Sequence, residues 1–181
     1  MTQTKTRALT EGSLMVAAAT ALSYVKLLEL PQGGSVCIGM LPIFLYCARW
    51  GCKEGFLASF AYGLLQLIFD GAYAWGWQSM LLDYLVAFMA LGMAELFARP
   101  FKNRMVGVAV GTAVAGFLRF MCSFLSGVLV WGNLSDGLSA WTYSLVYNAS
   151  YMLPETLITV VGAVLLIRVA PQIFDRQYAK A

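Results

Sequence analysis

The fold class this sequence predicts is an all-α, polytopic membrane domain of six helices, and three observations predict it. Hydrophobic residues fill 60% of the 181 positions and charged residues only 12%, roughly half the charged share of a soluble domain. The apolar residues come in long uninterrupted runs instead of stripes broken by polar faces, as in a chain that crosses a bilayer repeatedly. Lysine and arginine gather on one side once those runs are threaded back and forth through a membrane.

The same composition excludes other classes. A net charge of +3 with scattered basic residues does not suit a nucleic-acid binder, and the hydropathy does not suit a disordered chain. The chain has no histidine, so the commonest general base and metal ligand is missing. The cysteines Cys37, Cys47, Cys52 and Cys122 show no CxxC spacing and are expected to pack as free thiols. No cofactor, metal or catalytic residue is expected.

Taken in order, the first apolar segment runs from about Leu9 to Leu28. It follows a polar, basic start and has no small-residue cleavage site, so it is expected to be a retained helix. A loop carries Pro31, Gly33 and Gly34. The second segment, Val36 to Ala48, contains Pro42; at about 13 residues it falls short of the ~20 that a straight span needs. It must be kinked, tilted or shielded by its neighbours. The third runs from Gly55 to Ala74, the fourth from Ser79 to Phe97 and the fifth from Met105 to Trp131. The sixth starts between Ala140 and Tyr151 and ends near Val169, with a bend expected at Pro154. Short loops make sequential neighbours antiparallel, and residues 1–181 are expected to form one domain.

Placing the N- and C-termini in the cytoplasm puts Lys5, Arg7, Arg49, Lys53, Arg99, Lys102, Arg104, Arg168, Arg176 and Lys180 inside. Only Lys26 then lies outside, and Arg119 falls within the fifth segment. This bias orients the chain and fits an even number of spans.

Orientation gives the awkward polar residues a common address. Asp83 enters the fourth segment just under the outer surface. The outer loop before it carries Tyr73, Trp75 and Trp77. The fifth segment ends outside at Trp131, and Trp141, Tyr143, Tyr147 and Asn148 follow on the same side. Arg119 lies about 14 residues up the fifth segment, roughly 21 Å from its inner end. Intramembrane charges are expensive and face a cavity or one another. Two arrangements fit: an Asp83–Arg119 pair joining the fourth and fifth helices, or an outward pocket walled by aromatic rings around an acid and an amide. Such a pocket suits a flat, cationic or amino-bearing heteroaromatic ligand. Glu155 either lines that cavity more deeply or pairs with Arg119, and Glu95 is expected to snorkel toward the cytoplasm.

Small residues also recur at helical spacing. Ala17 and Ala21 share one face of the first helix, which serves either internal packing or docking of a partner subunit. Gly107 and Gly111 on the fifth helix are expected to serve internal packing.

The stretches "GMLPIFLYCARWGCKEGFLASFAYGLLQL", "LLDYLVAFMALGMAE", "RFMCSFLSGVLVWG" and "YSLVYNASYMLPE", in this order, resemble the thiamine-specific substrate-binding (S) components of energy-coupling-factor (ECF) vitamin transporters. The resemblance covers roughly residues 10–170. It implies a six-helix protein of the prokaryotic cell membrane that binds thiamine or a close relative from outside and is not an enzyme. It implies docking on a separate module of one membrane coupling subunit and two ATPases, with Ala17 and Ala21 on the docking face. Toppling of the S component in the bilayer would carry the ligand inward. The ligand positions map onto Asp83, Tyr84, Arg119, Ser123, Trp131, Tyr143 and Asn148, with Tyr73, Trp75 and Trp77 as further ring wall. Two positions depart from the family pattern: Asp83 stands where a glutamate is usual, and Ser123 where a histidine is usual. Both leave room for a thiamine precursor or phosphate.

The chain has no GxxxxGK[ST] phosphate loop, so ATP would be hydrolysed elsewhere. The alternatives are a stand-alone proton-coupled carrier, with Asp83 or Glu155 as relay, and an S component for another heteroaromatic vitamin. An intramembrane enzyme lacks a nucleophile–base pair here. A purely structural subunit would leave the outer aromatic cluster without a purpose.

Overall fold

A computed structural model describes residues 3–31, 33–70, 76–130 and 139–174. Six helices form among them: α1 (Gln3–Ser23), α2 (Met40–Trp50), α3 (Cys52–Asp70), α4 (Gly76–Ala98), α5 (Arg104–Val130) and α6 (Ala140–Val169). A 3-10 turn, Pro171–Phe174, follows α6. The loop expected between the first two helices folds as a small antiparallel hairpin of β1 (Leu28–Glu29) and β2 (Ser35–Val36), with Leu28 opposite Val36.

α1 starts before the apolar run because its polar turns are self-supporting. Arg7 bonds Glu11 one turn on at 3.0 Å, and the Thr10 and Ser13 hydroxyls bond back to carbonyls four residues earlier. It also ends before Leu28, since Leu27 donates to the Val36 carbonyl and enters the hairpin.

α2 is 11 residues long, about 17 Å at 1.5 Å per residue. Shielding resolves its shortness: Met40, Ile43, Phe44 and Cys47 are all buried. Pro42 sits in the first turn, where its missing N–H costs nothing. Gly51, at φ 97°, turns the chain straight into α3.

α4, α5 and α6 are each long and apolar enough to cross a membrane. α1 and α3, with 21 and 19 residues, have the length but a more polar sequence. α6 runs 30 residues without interruption across Pro154.

The packing is inverted relative to a soluble protein. Large apolar side chains such as Leu14, Ile68, Leu129 and Leu157 are more than half exposed, while Ser59, Gln66, Thr112, Glu155 and Thr159 are buried. In water such a surface would aggregate; against lipid it costs nothing. The Cβ that an alanine would add at Gly107 or Gly111 would run into the Ala98 or Ala94 carbonyl of α4. These glycines therefore serve internal packing, as expected.

The inner end is tied by ion pairs. Glu95 does not snorkel. It is 2% exposed and takes a 2.9 Å ion pair from Arg104, whose other nitrogen donates to the Ala48 carbonyl. The short reach from α4 to the start of α5 makes pairing available inside the protein. Glu11 likewise accepts from Trp50 Nε1 at 2.8 Å and pairs with Arg49 at 2.9 Å, fixing α1 to the end of α2.

Candidate functional site

The feature that positions the site is a change of helical pitch in α4. Residues Met80–Val86 wind as a π-helix before α-geometry resumes at Ala87–Leu91. Such wide turns are rare and concentrate at functional sites. The wider turn, roughly 4.4 residues, stacks Ser79, Asp83, Tyr84 and Phe88 on one inward face, and all four line one cavity. Gly63 of α3 permits it: an added Cβ there would strike the Tyr84 carbonyl and the Phe88 side chain.

The cavity has a volume of about 120 Å³ and lies in the half of the bundle that the charge bias places outside. Its mouth is formed by Tyr24, Lys26, Gly33, Asp70 and Tyr143, and its floor by Arg119, Glu155, Cys37 and Tyr62. Below the floor, α2 packs with buried Val16, Phe44, Cys47, Leu91 and Ala115.

Asp83 hangs from hydroxyls. Ser79 donates to its Oδ2 at 2.8 Å, Ser126 of α5 donates to the same oxygen, and Ser123 faces the same carboxylate. Among the described residues the acidic partners in ion pairs are Glu11, Glu29, Asp70, Glu95 and Glu155, and Asp83 forms none.

Arg119 does not pair with Asp83. Its Nη1 lies 2.7 Å from Glu155 and 3.0 Å from the Met40 sulfur, and its guanidinium carbon stands 4.6 Å from the centre of the Phe88 ring. The α5–α6 register delivers Glu155 to the height of Arg119, whereas Asp83 is drawn to the serines. The Cys37 thiol donates to the other Glu155 oxygen at 3.2 Å. Floor charge is thus balanced by the Arg119–Glu155 pair, and the buried Arg119 Nε has no hydrogen-bond partner among the described residues.

α6 supplies a ladder of tyrosines at helical spacing. The Tyr143 and Tyr147 rings stack at 6.1 Å, and Tyr151 meets Tyr147 edge-on at 5.8 Å. All three line the cavity. Asn148 also lines it, but its amide is engaged: Nδ2 donates to the Ser144 carbonyl at 2.9 Å, and Oδ1 accepts from the Tyr151 hydroxyl at 2.9 Å. The Tyr84 hydroxyl is turned to the Asp70 carbonyl at 2.9 Å.

Asp83, Tyr84, Arg119, Ser123, Tyr143 and Asn148 are therefore brought together around one cavity. Trp77 is not: it is 69% exposed and outside the lining. Trp141, also exposed, packs on Phe124 at 5.6 Å. These two indoles form an interfacial belt at the helix ends, where an amphipathic ring is stable. Tyr73, Trp75 and Trp131 lie outside the described residues. Sequence reasoning missed Ser79, Ser126 and Tyr151. Tyr151 had a signal, the i, i+4 spacing from Tyr147; serines within an apolar helix had none.

Ala17 and Ala21 are both exposed on α1.

Known proteins resemble this chain over nearly its whole length. It is 36% identical over 183 residues to a protein of Bacillus subtilis named thiamine transporter ThiT, covering 94% of this chain and 95% of the relative. A protein of the same name from Lacticaseibacillus paracasei is 31% identical over 187 residues, covering 94% and 92%. Among solved structures, ThiT from Listeria monocytogenes superposes with a TM-score of 0.82 at 24% identity, covering 92% of this chain and 96% of the other. The S component of a bacterial ECF transporter superposes with a TM-score of 0.68 at 16% identity, covering 95% and 99%. Fold and cavity define the class, a multi-pass membrane transport protein. Residues 9–175 match the family of thiamine transporter proteins, Thia_YuaJ, and the chain belongs to it.

Proposed function

We propose that residues 1–181 form a single membrane domain that acts as the thiamine-binding S component of an ECF importer. It takes the vitamin from the outer side and hands it to an energising module of a coupling subunit and two ATPases. One observation carries the ligand reading. Among the described residues Asp83 is a cavity-lining carboxylate that accepts from hydroxyls and enters no ion pair, and stacked tyrosine rings line the same cavity. An acid without a cation of its own favours a cationic guest, and the ring faces favour a flat one. The thiazolium–pyrimidine framework of thiamine meets both demands. Arg119, already neutralised by Glu155, gives a phosphorylated form less reason to be preferred.

Tyr84, Ser123, Tyr143 and Asn148 complete the inner wall in this reading, with Tyr73, Trp75 and Trp131 as further ring contacts from the outer loops. Trp77 drops out. The exposed Ala17 and Ala21 face offers the coupling subunit a surface on which helix backbones approach closely.

The test is titration of the purified protein with thiamine, followed by intrinsic fluorescence or calorimetry, beside the Asp83→Asn variant. A charge-assisted hydrogen bond is worth ~1.5–3 kcal/mol, so the variant should bind roughly 10- to 100-fold more weakly. Equal affinities would remove Asp83 from the site. Uptake by the protein alone, abolished by an uncoupler, would favour the proton-coupled carrier instead.

A further inference from the structure

We infer that Ser79 and Ser126 are positioning residues that set the cation selectivity of the site. The inference rests on the thiamine reading and adds what enforces it. Ser79 on α4 is 1% exposed and Ser126 on α5 is 0% exposed, so neither hydroxyl serves solvent. Both spend their proton on one atom, Oδ2 of Asp83.

This is an unusual use of serine in an apolar helix, where the hydroxyl commonly bonds back to a carbonyl one turn earlier. Thr20 and Thr159 do that here, each bonding the carbonyl four residues before it. Ser79 and Ser126 instead reach a side chain, and Ser126 does so across a helix interface. Their donors stabilise the ionised carboxylate without adding positive charge. A lysine or arginine in the same place would hold Asp83 as firmly but cancel the charge offered to a guest. The floor shows that other solution, with Arg119 and Glu155 paired at 2.7 Å. The protein thus holds one acid in an ion pair and another on hydroxyl donors within a single cavity. The two hydroxyls also fix the carboxylate from two helices, so its orientation does not depend on the ligand.

A structural role and a selectivity role are separated by comparing two ligands. One is thiamine. The other is its neutral isostere, in which carbon replaces the charged ring nitrogen. Wild type should prefer thiamine by roughly 10- to 100-fold, and Asp83→Asn should abolish that preference. Ser79→Ala and Ser126→Ala should each lower thiamine affinity while leaving the isostere little changed, so that the preference narrows. Ser126→Thr, which restores a hydroxyl, should recover it. Where an alanine variant yields little folded protein, Ser→Cys, close in volume but a poor donor, takes its place.

Alanine variants that weaken both ligands equally, or that keep the full preference, overturn the inference while the thiamine reading stands. A wild type that binds thiamine without preferring it to the isostere overturns the inference as well. A wild type that binds neither ligand overturns both.

Discussion

Arg119 and Glu155 illustrate how residue-scale chemistry is settled by register. Glu155 is buried and Arg119 largely so, and each needs the other: their contact at 2.7 Å is what makes either charge tolerable. Removing one partner of a buried pair costs roughly 3–5 kcal/mol, whereas replacing both with apolar groups is close to neutral. Glu155→Gln should therefore lower the melting temperature in detergent markedly, and the double variant Arg119→Met, Glu155→Leu should recover much of the loss. Equal melting of wild type and Glu155→Gln would show that the pair holds nothing together. The sequence offers Arg119 two acids and does not choose between them. The choice depends on the relative height of α5 and α6, which no local pattern encodes. Asp83 itself was legible because an acid amid leucines is an anomaly. Its partners Ser79 and Ser126 were not, because serine is common in membrane helices and often bonds its own backbone.

At the scale of elements, the six segments and their order were legible from hydropathy alone, as was the shortness of α2. The hairpin at Leu28–Val36 was not, because strands of two residues leave no periodic trace. Nor was the π-turn at Met80–Val86 visible: its composition is that of any membrane helix, and the room for it comes from α3 at Gly63. The α5–α6 contact is equally exacting. A Cβ at Gly127 would collide with the Ser144 hydroxyl and lie 3.2 Å from the Asn148 amide nitrogen, next to the tyrosine ladder. Overpacking of this kind costs roughly 1–3 kcal/mol. Gly127→Ala should thus weaken thiamine binding by about tenfold or more, seen in the same titration, and lower the melting temperature. An unaltered variant would mean that α6 can shift without disturbing the wall.

Across the whole molecule, the division of labour runs along the membrane normal. Lysine and arginine placement sets the orientation, the outer half holds the cavity, and the inner half is filled. The aromatic asymmetry that the sequence displays is genuine but splits in two: the tyrosines of α6 turn inward, while Trp77 and Trp141 turn outward. Sequence position gives the depth of a ring and not the side of the helix it occupies once neighbours are packed. On α1 the small face turns away from the bundle. Ala17→Trp should leave thiamine binding intact and abolish uptake in cells that express the energising module. Retained uptake would move the docking surface off α1.

The ties at the inner end carry a further consequence. Arg104 gathers α4, α5 and the Ala48 carbonyl of α2, and Glu11 pins α1 to Trp50 and Arg49. Among the described residues there is consequently no thoroughfare beneath the vestibule: the chamber is a cul-de-sac, closed by bolts that would have to be drawn together to drill a passage through. For a guest to leave on the far side with these bolts in place, the whole vessel would have to move, and the exposed alanines of α1 are one grip for such a lever.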